Sequence, residues 1–160
     1  MIRAVRIPEE RLPVVIGKNG STKNDIQKLT HTKISIGEEI TIEGDSLDVL
    51  TAENIIKAIG RGFQPNAAFL LKDEGNAMEI LNLPKERKEL NRIRSRLIGT
   101  RGKCRKNIES LTRTHISIYG RTVSVIGKYE NIRLVAEAIK KLIEGAPHSF
   151  VYKFLEERQE

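Results

Sequence analysis

The sequence predicts an α+β protein made of one unit written twice, each copy in the order β-α-α-β-β-α. Three observations predict it. The first is a repeat: "GKNGSTKNDIQKLTHTKISI" begins at Gly17 and "GTRGKCRKNIESLTRTHISI" at Gly99. In that alignment Ile16/Ile98, Gly20/Gly102, Ile26/Ile108, Leu29/Leu111, Thr30/Thr112 and Thr32/Thr114 coincide, and Ile34-Ser35-Ile36 matches Ile116-Ser117-Ile118. One extra residue then restores the register, so that Ile40-Thr41-Ile42 faces Val123-Ser124-Val125 and Gly44 faces Gly127. A duplicated unit of roughly 60 to 80 residues explains this best. The second observation is apolar alternation with period two at matching places in both copies, the mark of half-buried strands. The third is a long amphipathic stretch closing each copy.

The elements follow in order. "AVRI" (Ala4–Ile7) alternates like a strand, and in the second copy "AMEILNL" (Ala77–Leu83) takes its place. A short helix comes next, carrying Leu12, Val15 and Ile16, with Pro13 tolerated in its first turn. Its counterpart carries Leu90, Ile93, Leu97 and Ile98 on one face. A Gly-x-x-Gly turn breaks each helix. A second helix follows, marked by Ile26 and Leu29, or by Cys104, Ile108 and Leu111. Two strands come after it: "KISI" with "EITIEG", and "HISIY" with "TVSVIG". The closing helices are expected near Ser46–Ile59, stopping at Gly60, and near Glu130–Glu144, stopping at Gly145. Each unit then folds as a three-stranded antiparallel sheet with helices on one face. The expected domains are residues 1–62 and 77–160. Residues 63–76 form a packed connector that holds Phe63, Phe69, Leu70 and Leu71 and fixes one unit against the other. The tail "GAPHSFVYKFLEERQE" ends the last helix, and its Val151, Phe154 and Leu155 predict a short helix docked on the body in preference to a partner.

Charge is unevenly spread. The net charge is +7, yet residues 1–80 hold 10 Lys/Arg against 12 Asp/Glu, whereas residues 81–160 hold 18 against 9. Between Lys85 and Lys106 ten basic residues meet two acidic ones. A solvated, ion-paired surface mixes its signs, and this stretch does not. A polyanion, above all nucleic acid, is the partner such a cluster implies. No apolar run reaches the roughly 20 residues of a membrane span, and "MIRAVRIPEE" lacks a signal peptide's apolar stretch, so secretion and membrane association are not expected. Cys104 is the only cysteine, which suits a reducing cytoplasm.

The Gly-x-x-Gly turns bring the chemistry. Glycine permits positive φ and close approach of another backbone. The helix after the turn points its first N–H groups into the gap, which favours a phosphate. Lys18 and Asn19 stand between Gly17 and Gly20, and Thr100 and Arg101 between Gly99 and Gly102. Lys103, Arg105 and Lys106 extend the positive surface beyond the second turn; Lys23 does so weakly beyond the first. The apolar residues before the turn (Leu97, Ile98) and on the next strand (Ile116, Ile118) are placed to floor a groove for bases. Alone, one such motif is a common turn and its Ile and Leu neighbours are ordinary core. Two copies in the same slot, each with a cation inside, point to a ligand.

Both repeats resemble type I KH domains, in which Ile-Gly-x-x-Gly joins the first two helices and the loop clamps about four nucleotides. The longer stretches "VRIPEERLPVVIGKNGSTKNDIQKLT", "AIGRGF", "NRIRSRLIGTRGKCRKNIESLT", "ISIYGRTVSVIG" and "GAPHSFVYKFLE" resemble the archaeal two-KH ribosome assembly proteins related to the eukaryotic partner of the PIN-domain nuclease Nob. The resemblance covers nearly the whole chain. It implies a small-subunit assembly factor that binds the single-stranded 3′ end of the small-subunit rRNA near its cleavage site. It also implies a link to the PIN-domain maturation nuclease and to the alpha subunit of translation initiation factor two. By position it implies that Gly99, Thr100, Arg101 and Gly102 clamp the RNA backbone and that Lys103, Arg105 and Lys106 hold phosphates. Ile98, Ile116 and Ile118 would line the base groove, with the backbone around Ser117 reading base edges. Arg92, Arg94 and Arg96 would hold flanking RNA. Eukaryotic relatives lack an intact first loop; here Gly17-Lys18-Asn19-Gly20 is intact, so the first copy keeps the means to bind RNA. The charge count favours the second copy as the main reader, because phosphate contacts set most of the affinity.

Other chemistries find little support. Three Tyr, four Phe and no Trp argue against modules that stack bases on aromatic platforms. Tyr119 is expected at a hairpin. His31, His115 and His148 are scattered without cysteine partners at metal spacing, so no metal or cofactor is expected; His115 precedes the groove strand, which leaves it within reach of RNA. No triad or metalloprotease pattern is present, and a non-enzyme, monomeric, is expected. Two further readings stand beside RNA capture. One is a protein-docking adaptor whose less charged first unit recruits the nuclease or initiation factor. The other is a helix-turn-helix DNA binder, which fails if the strand pairs after each helix pair are real.

Overall fold

A computed structural model describes residues 1–158. The chain divides into two compact units, Met1–Glu74 and Gly75–Glu160.

In the first unit β1 (Ile2–Val5), β2 (Lys33–Ile36) and β3 (Ile40–Glu43) form an antiparallel sheet in the order β1-β3-β2. Four helices accompany it: α1 (Leu12–Ile16), α2 (Ser21–Thr30), α3 (Ser46–Gly60) and α4 (Pro65–Ala68). The second unit repeats the plan. Strands β4 (Asn76–Asn82), β5 (His115–Tyr119) and β6 (Thr122–Lys128) run β4-β6-β5, all antiparallel. Helices α5 (Arg87–Ile98), α6 (Lys103–Thr112) and α7 (Tyr129–Ile143) follow the same slots, and α8 (His148–Glu157) is added at the end. The strand pairs β2/β3 and β5/β6 are therefore present, which removes the helix-turn-helix reading.

Several repeated letters have a packing reason. Thr30 and Thr112 are buried at the ends of α2 and α6. Each hydroxyl donates to the carbonyl one turn back (Ile26 O and Ile108 O, both 2.7 Å) and lies 2.8 Å from the hydroxyl of Thr32 or Thr114. Between each pair a residue takes the left-handed conformation, His31 or Arg113, both at φ 55°, which turns the chain from helix into strand. The matched glycines face these threonines. A Cβ on Gly44 would lie 3.2 Å from Thr32 Cγ2, and one on Gly127 only 2.8 Å from Thr114 Cγ2.

One strand differs from expectation, and one helix end carries a contact the sequence does not show. The first strand is Ile2–Val5, not Ala4–Ile7, because its partner β3 offers four residues and the ladder ends at Val5↔Ile40. Ile7 keeps its inward parity but packs on a helix. Helix α3 ends at Gly60, at the expected place, but the glycine also serves packing: a Cβ there would come within 2.7 Å of Ile7 Cγ2. The glycine that turns the chain is Gly62, at φ 99°. In the second copy α7 ends beside Gly145 (φ 102°), near the expected place.

Residues 63–74 pack within the first unit. α4 and a 3-10 turn over Phe69–Lys72 lie on α3, Phe63, Ala67 and Ala68 are buried, and Lys72 Nζ donates to Leu29 O at 2.6 Å. Helix α8 docks internally against α6 and α7, where Val151 and Leu155 join the core formed by Ile93, Ile108, Val125 and Ile139. Burying each such side chain contributes about 1.5–3 kcal/mol. The last two residues of the expected tail lie outside the described residues.

Candidate nucleic-acid interface

The two Gly-x-x-Gly loops have nearly one backbone. Gly17 and Gly99 stand at φ/ψ 72°/176° and 75°/174°, Asn19 and Arg101 at 55°/30° and 56°/29°, Gly20 and Gly102 at 78°/12° and 75°/14°. The first glycine of each loop occupies a region closed to residues with side chains. Space demands it as well: a Cβ on Gly99 would sit 2.7 Å from the backbone nitrogen of Cys104, and one on Gly17 2.7 Å from that of Thr22. The loop thus folds back on the first turn of the next helix.

The second glycine is different. A Cβ on Gly20 would meet nothing within 4 Å, and one on Gly102 would meet only Lys106 Cε at 3.7 Å and Arg105 Nη2 at 4.0 Å. This side of the loop is open to an approaching backbone. The N–H of Gly102 is used within the turn, donating to Gly99 O at 3.1 Å. Those of Thr100 and Arg101, at a helix start, have no acceptor in their own turn. Arg101, Lys103 and Lys106 are exposed around them. The result is a positively charged helix start with the chemistry to hold a phosphate. The first loop has Lys18 and Asn19 exposed and Lys23 half-buried, a weaker field on the same backbone.

The residues expected to floor a groove lie beside the second loop, next to one free strand edge. Ile98 and Ile118 are half-buried, and Ile116, at 6% exposure, belongs mainly to the core beneath. β5 is an edge strand. The N–H of Ile116 donates to Glu109 Oε2 at 2.8 Å, so the polar groups of Ile116 face away from β6. By the alternation of an antiparallel ladder those of Ile118 face the same way, while Ser117 exchanges its bonds with Ser124. The backbone groups on the free edge are therefore those of Ile116 and Ile118, and the expectation centred on Ser117 moves by one residue. His115 is exposed at the start of this strand and Tyr119 is at its hairpin end.

The arginines divide. Arg96 is turned away from the loop: its Nε donates to Leu142 O at 3.1 Å and its Nη2 to Ala146 O. It closes the C-terminal end of α7, where a cation also meets the helix dipole favourably. Arg92 pairs with Glu89 on the surface of α5, and Arg94 is half-buried without being drawn into that pair. Arg105 lies beside Gly102, with its Nη1 2.8 Å from Glu109 Oε1. Glu109 stands just past the basic run and belongs to no motif; its spacing four residues after Arg105 is the signal the sequence offers. Gln27 makes only the strand bond in the first unit, accepting from the N–H of Ile34 at 2.8 Å.

Cys104 is buried under α8. Burial pushes its thiol pKa up, against smaller opposing effects of a hydrogen bond with Tyr152 and the charge of Arg96. Burial raises the Tyr152 phenol as well. His148 joins the same seam, its Nε2 3.0 Å from Arg96 O.

The KH domain profile matches residues 2–58, and the eukaryotic-type KH domain (type I) profile matches residues 75–160. A KH domain-containing protein of Methanocaldococcus jannaschii is 38% identical over 99% of this chain and 74% of its own length. The archaeal Dim2p of Pyrococcus horikoshii, solved in a complex with a/eIF2alpha and rRNA, superposes with a TM-score of 0.90 at 41% identity, covering 99% of this chain and 93% of that one. The chain belongs to the Dim2/PNO1 family of two-KH-domain proteins. Eukaryotic members are longer: the pre-rRNA-processing protein PNO1 of Coccidioides immitis is 32% identical over 62% of this chain, and the match spans 41% of its length. This Dim2/PNO1 chain carries the intact Gly-x-x-Gly loop in both of its KH domains.

Proposed function

We propose that this protein captures single-stranded RNA at the 3′ end of the small-subunit rRNA, through the second Gly-x-x-Gly loop, during small-subunit maturation. The observation that carries the reading is the second loop itself: an open, cationic helix start beside half-buried Ile98 and Ile118 and an edge strand with free backbone groups. Phosphates meet the N–H groups of Thr100 and Arg101 and the side chains of Arg101, Lys103 and Lys106. Bases lie on Ile98 and Ile118 and meet the edge of β5. The rRNA in the archaeal Dim2p complex supports the choice of ligand, and the name of the PNO1 relative supports the place in rRNA processing. The protein presents or shields the cleavage site and does no chemistry of its own; a PIN-domain maturation nuclease would act on the end it holds. It works in the cytoplasm, as a monomer.

The second reading is a docking adaptor. The a/eIF2alpha present in that same complex favours it, as does the lower charge of the first unit. The readings are separable. An adaptor binds the initiation-factor alpha subunit with RNA absent and both loops mutated. An RNA reader protects the last nucleotides of small-subunit rRNA from nuclease, and the Thr100→Asp/Arg101→Asp variant does not. Equal protection by that variant would contradict the reading.

A further inference from the structure

The two repeats differ at one position that bears on both halves of the groove. Glu109 and Gln27 occupy equivalent places on α6 and α2. Each accepts the N–H of the first edge isoleucine at 2.8 Å, Ile116 or Ile34. There the likeness ends. Gln27 spends its amide nitrogen on Asn24, 3.3 Å away, and carries no charge. Glu109 uses its second oxygen to hold Arg105 at 2.8 Å. Both side chains are shielded, with 32% of Arg105 and 20% of Glu109 exposed. Arg105 also touches the open side of the loop, with Nη2 at 4.0 Å from the place of a Gly102 Cβ. One carboxylate thus joins the reading edge to the phosphate cradle.

We propose that Glu109 is the positioning residue of the second groove: it closes the Ile116 N–H to a ligand and holds Arg105 against the loop. This rests on the RNA-binding reading above. Its first effect concerns bases. With the Ile116 N–H occupied, the free edge presents one donor, the N–H of Ile118, flanked by the carbonyls of Ile116 and Ile118. A base that pairs with this edge has a single register. Freeing the Ile116 N–H adds a second donor two residues along the same edge, and bases can then pair in two registers. The second effect concerns charge. The carboxylate offsets one cation beside the cradle, so the groove binds phosphate less tightly than the cations around the loop suggest and discriminates more between bases. The first unit, with Gln27 and Lys23, has the bond to the strand without the tether.

The test uses the full chain with two single-stranded RNAs, one matching the small-subunit 3′ end and one scrambled, by fluorescence anisotropy over a salt series. Glu109→Gln keeps the bond to Ile116 and releases Arg105. It should bind both RNAs several-fold tighter, with the same preference between them. Its plot of log affinity against log salt should be steeper by about 0.7, one more phosphate contact on a single strand. Adding Arg105→Ala should return the slope to that of wild type. Glu109→Ala loses both bonds and should lose most of the preference. An unchanged salt slope in Glu109→Gln, or an intact preference in Glu109→Ala, overturns the proposal. Hydrogen exchange of the Ile116 amide gives a readout without RNA: slow in wild type and Glu109→Gln, fast in Glu109→Ala. Equal exchange in all three overturns the role of Glu109 even if Glu109→Ala binds poorly because it is unstable. Wild type that binds neither RNA, with the amide protected as expected, instead overturns the RNA-binding reading and with it the role assigned here.

Discussion

Cys104 fills the space that a side chain on Gly99 would need: its Cβ lies 2.7 Å from where the Cβ of any other residue would stand. Glycine is required at this position by lack of space as well as by its backbone angles. Gly99→Ala should therefore cost about 1–3 kcal/mol of stability from backbone strain alone, with the clash in addition. Gly102→Ala meets open space and should cost about 1 kcal/mol, yet it should weaken RNA binding because its Cβ stands on the approach side. Urea unfolding and anisotropy on the same two variants separate the effects. A Gly99→Ala protein as stable as wild type would contradict the account of the loop.

Arg96 should behave as a structural residue. Its two hydrogen bonds close the end of α7, so Arg96→Ala should lose about 1.5–3 kcal/mol while leaving the salt dependence of RNA binding unchanged. A reduced salt slope with normal stability would return Arg96 to the RNA surface.

Lys103 and Lys106 should behave in the opposite way. Both are exposed beside the cradle, and each Lys→Ala change should reduce the salt slope by about 0.7 with the melting temperature nearly unchanged. The matching change at Lys23, beside the first loop, should have the smaller effect.

The buried threonine pair predicts a stability effect with no part in binding. Thr112→Val removes the hydroxyl that Thr114 faces at 2.8 Å and leaves a buried polar group without its partner, a loss of about 1–3 kcal/mol. Thr112→Val/Thr114→Val should recover part of it.

Cys104 and Tyr152 set an alkaline limit. Both hold their protons more tightly in the fold than in the unfolded chain, through burial first. Stability is therefore whole below the ordinary thiol range and declines as pH climbs above it, since the unfolded chain sheds protons that the fold retains. Unfolding measured from neutral pH upward should show the decline, reduced in Cys104→Ala. For the same reason a thiol reagent should react slowly with the folded protein and promptly in denaturant.

The sequence spelled out most of the fold because the repeat is its own control. Letters that agree between the copies turned out to be geometry: Gly17 and Gly99 for the loop, Thr30 and Thr112 for the helix ends, Gly44 and Gly127 for the threonines packed on them. Places where one copy stood alone were harder. Nothing in "QPNAAFLLK" tells a short helix and 3-10 turn from a connector, because four-residue elements carry no period. Gly60 reads as a helix stop, and only the neighbour Ile7 shows that it is a point of close approach. Within the site, the basic run between Lys85 and Lys106 counts charges without saying which are free. Arg96 is held by carbonyls that lie 46 and 50 residues away along the chain, a distance no local pattern reports.

The central claim is that the second loop reads RNA. The most direct measurement is anisotropy with the single-stranded 3′ end of small-subunit rRNA and its scrambled control, for wild type, Thr100→Asp/Arg101→Asp and Lys18→Asp/Asn19→Asp. The account predicts that the second-loop variant loses its preference for the matching RNA while the first-loop variant keeps it. If both variants bind and discriminate as wild type does, the groove is not the RNA site, and the adaptor reading takes its place.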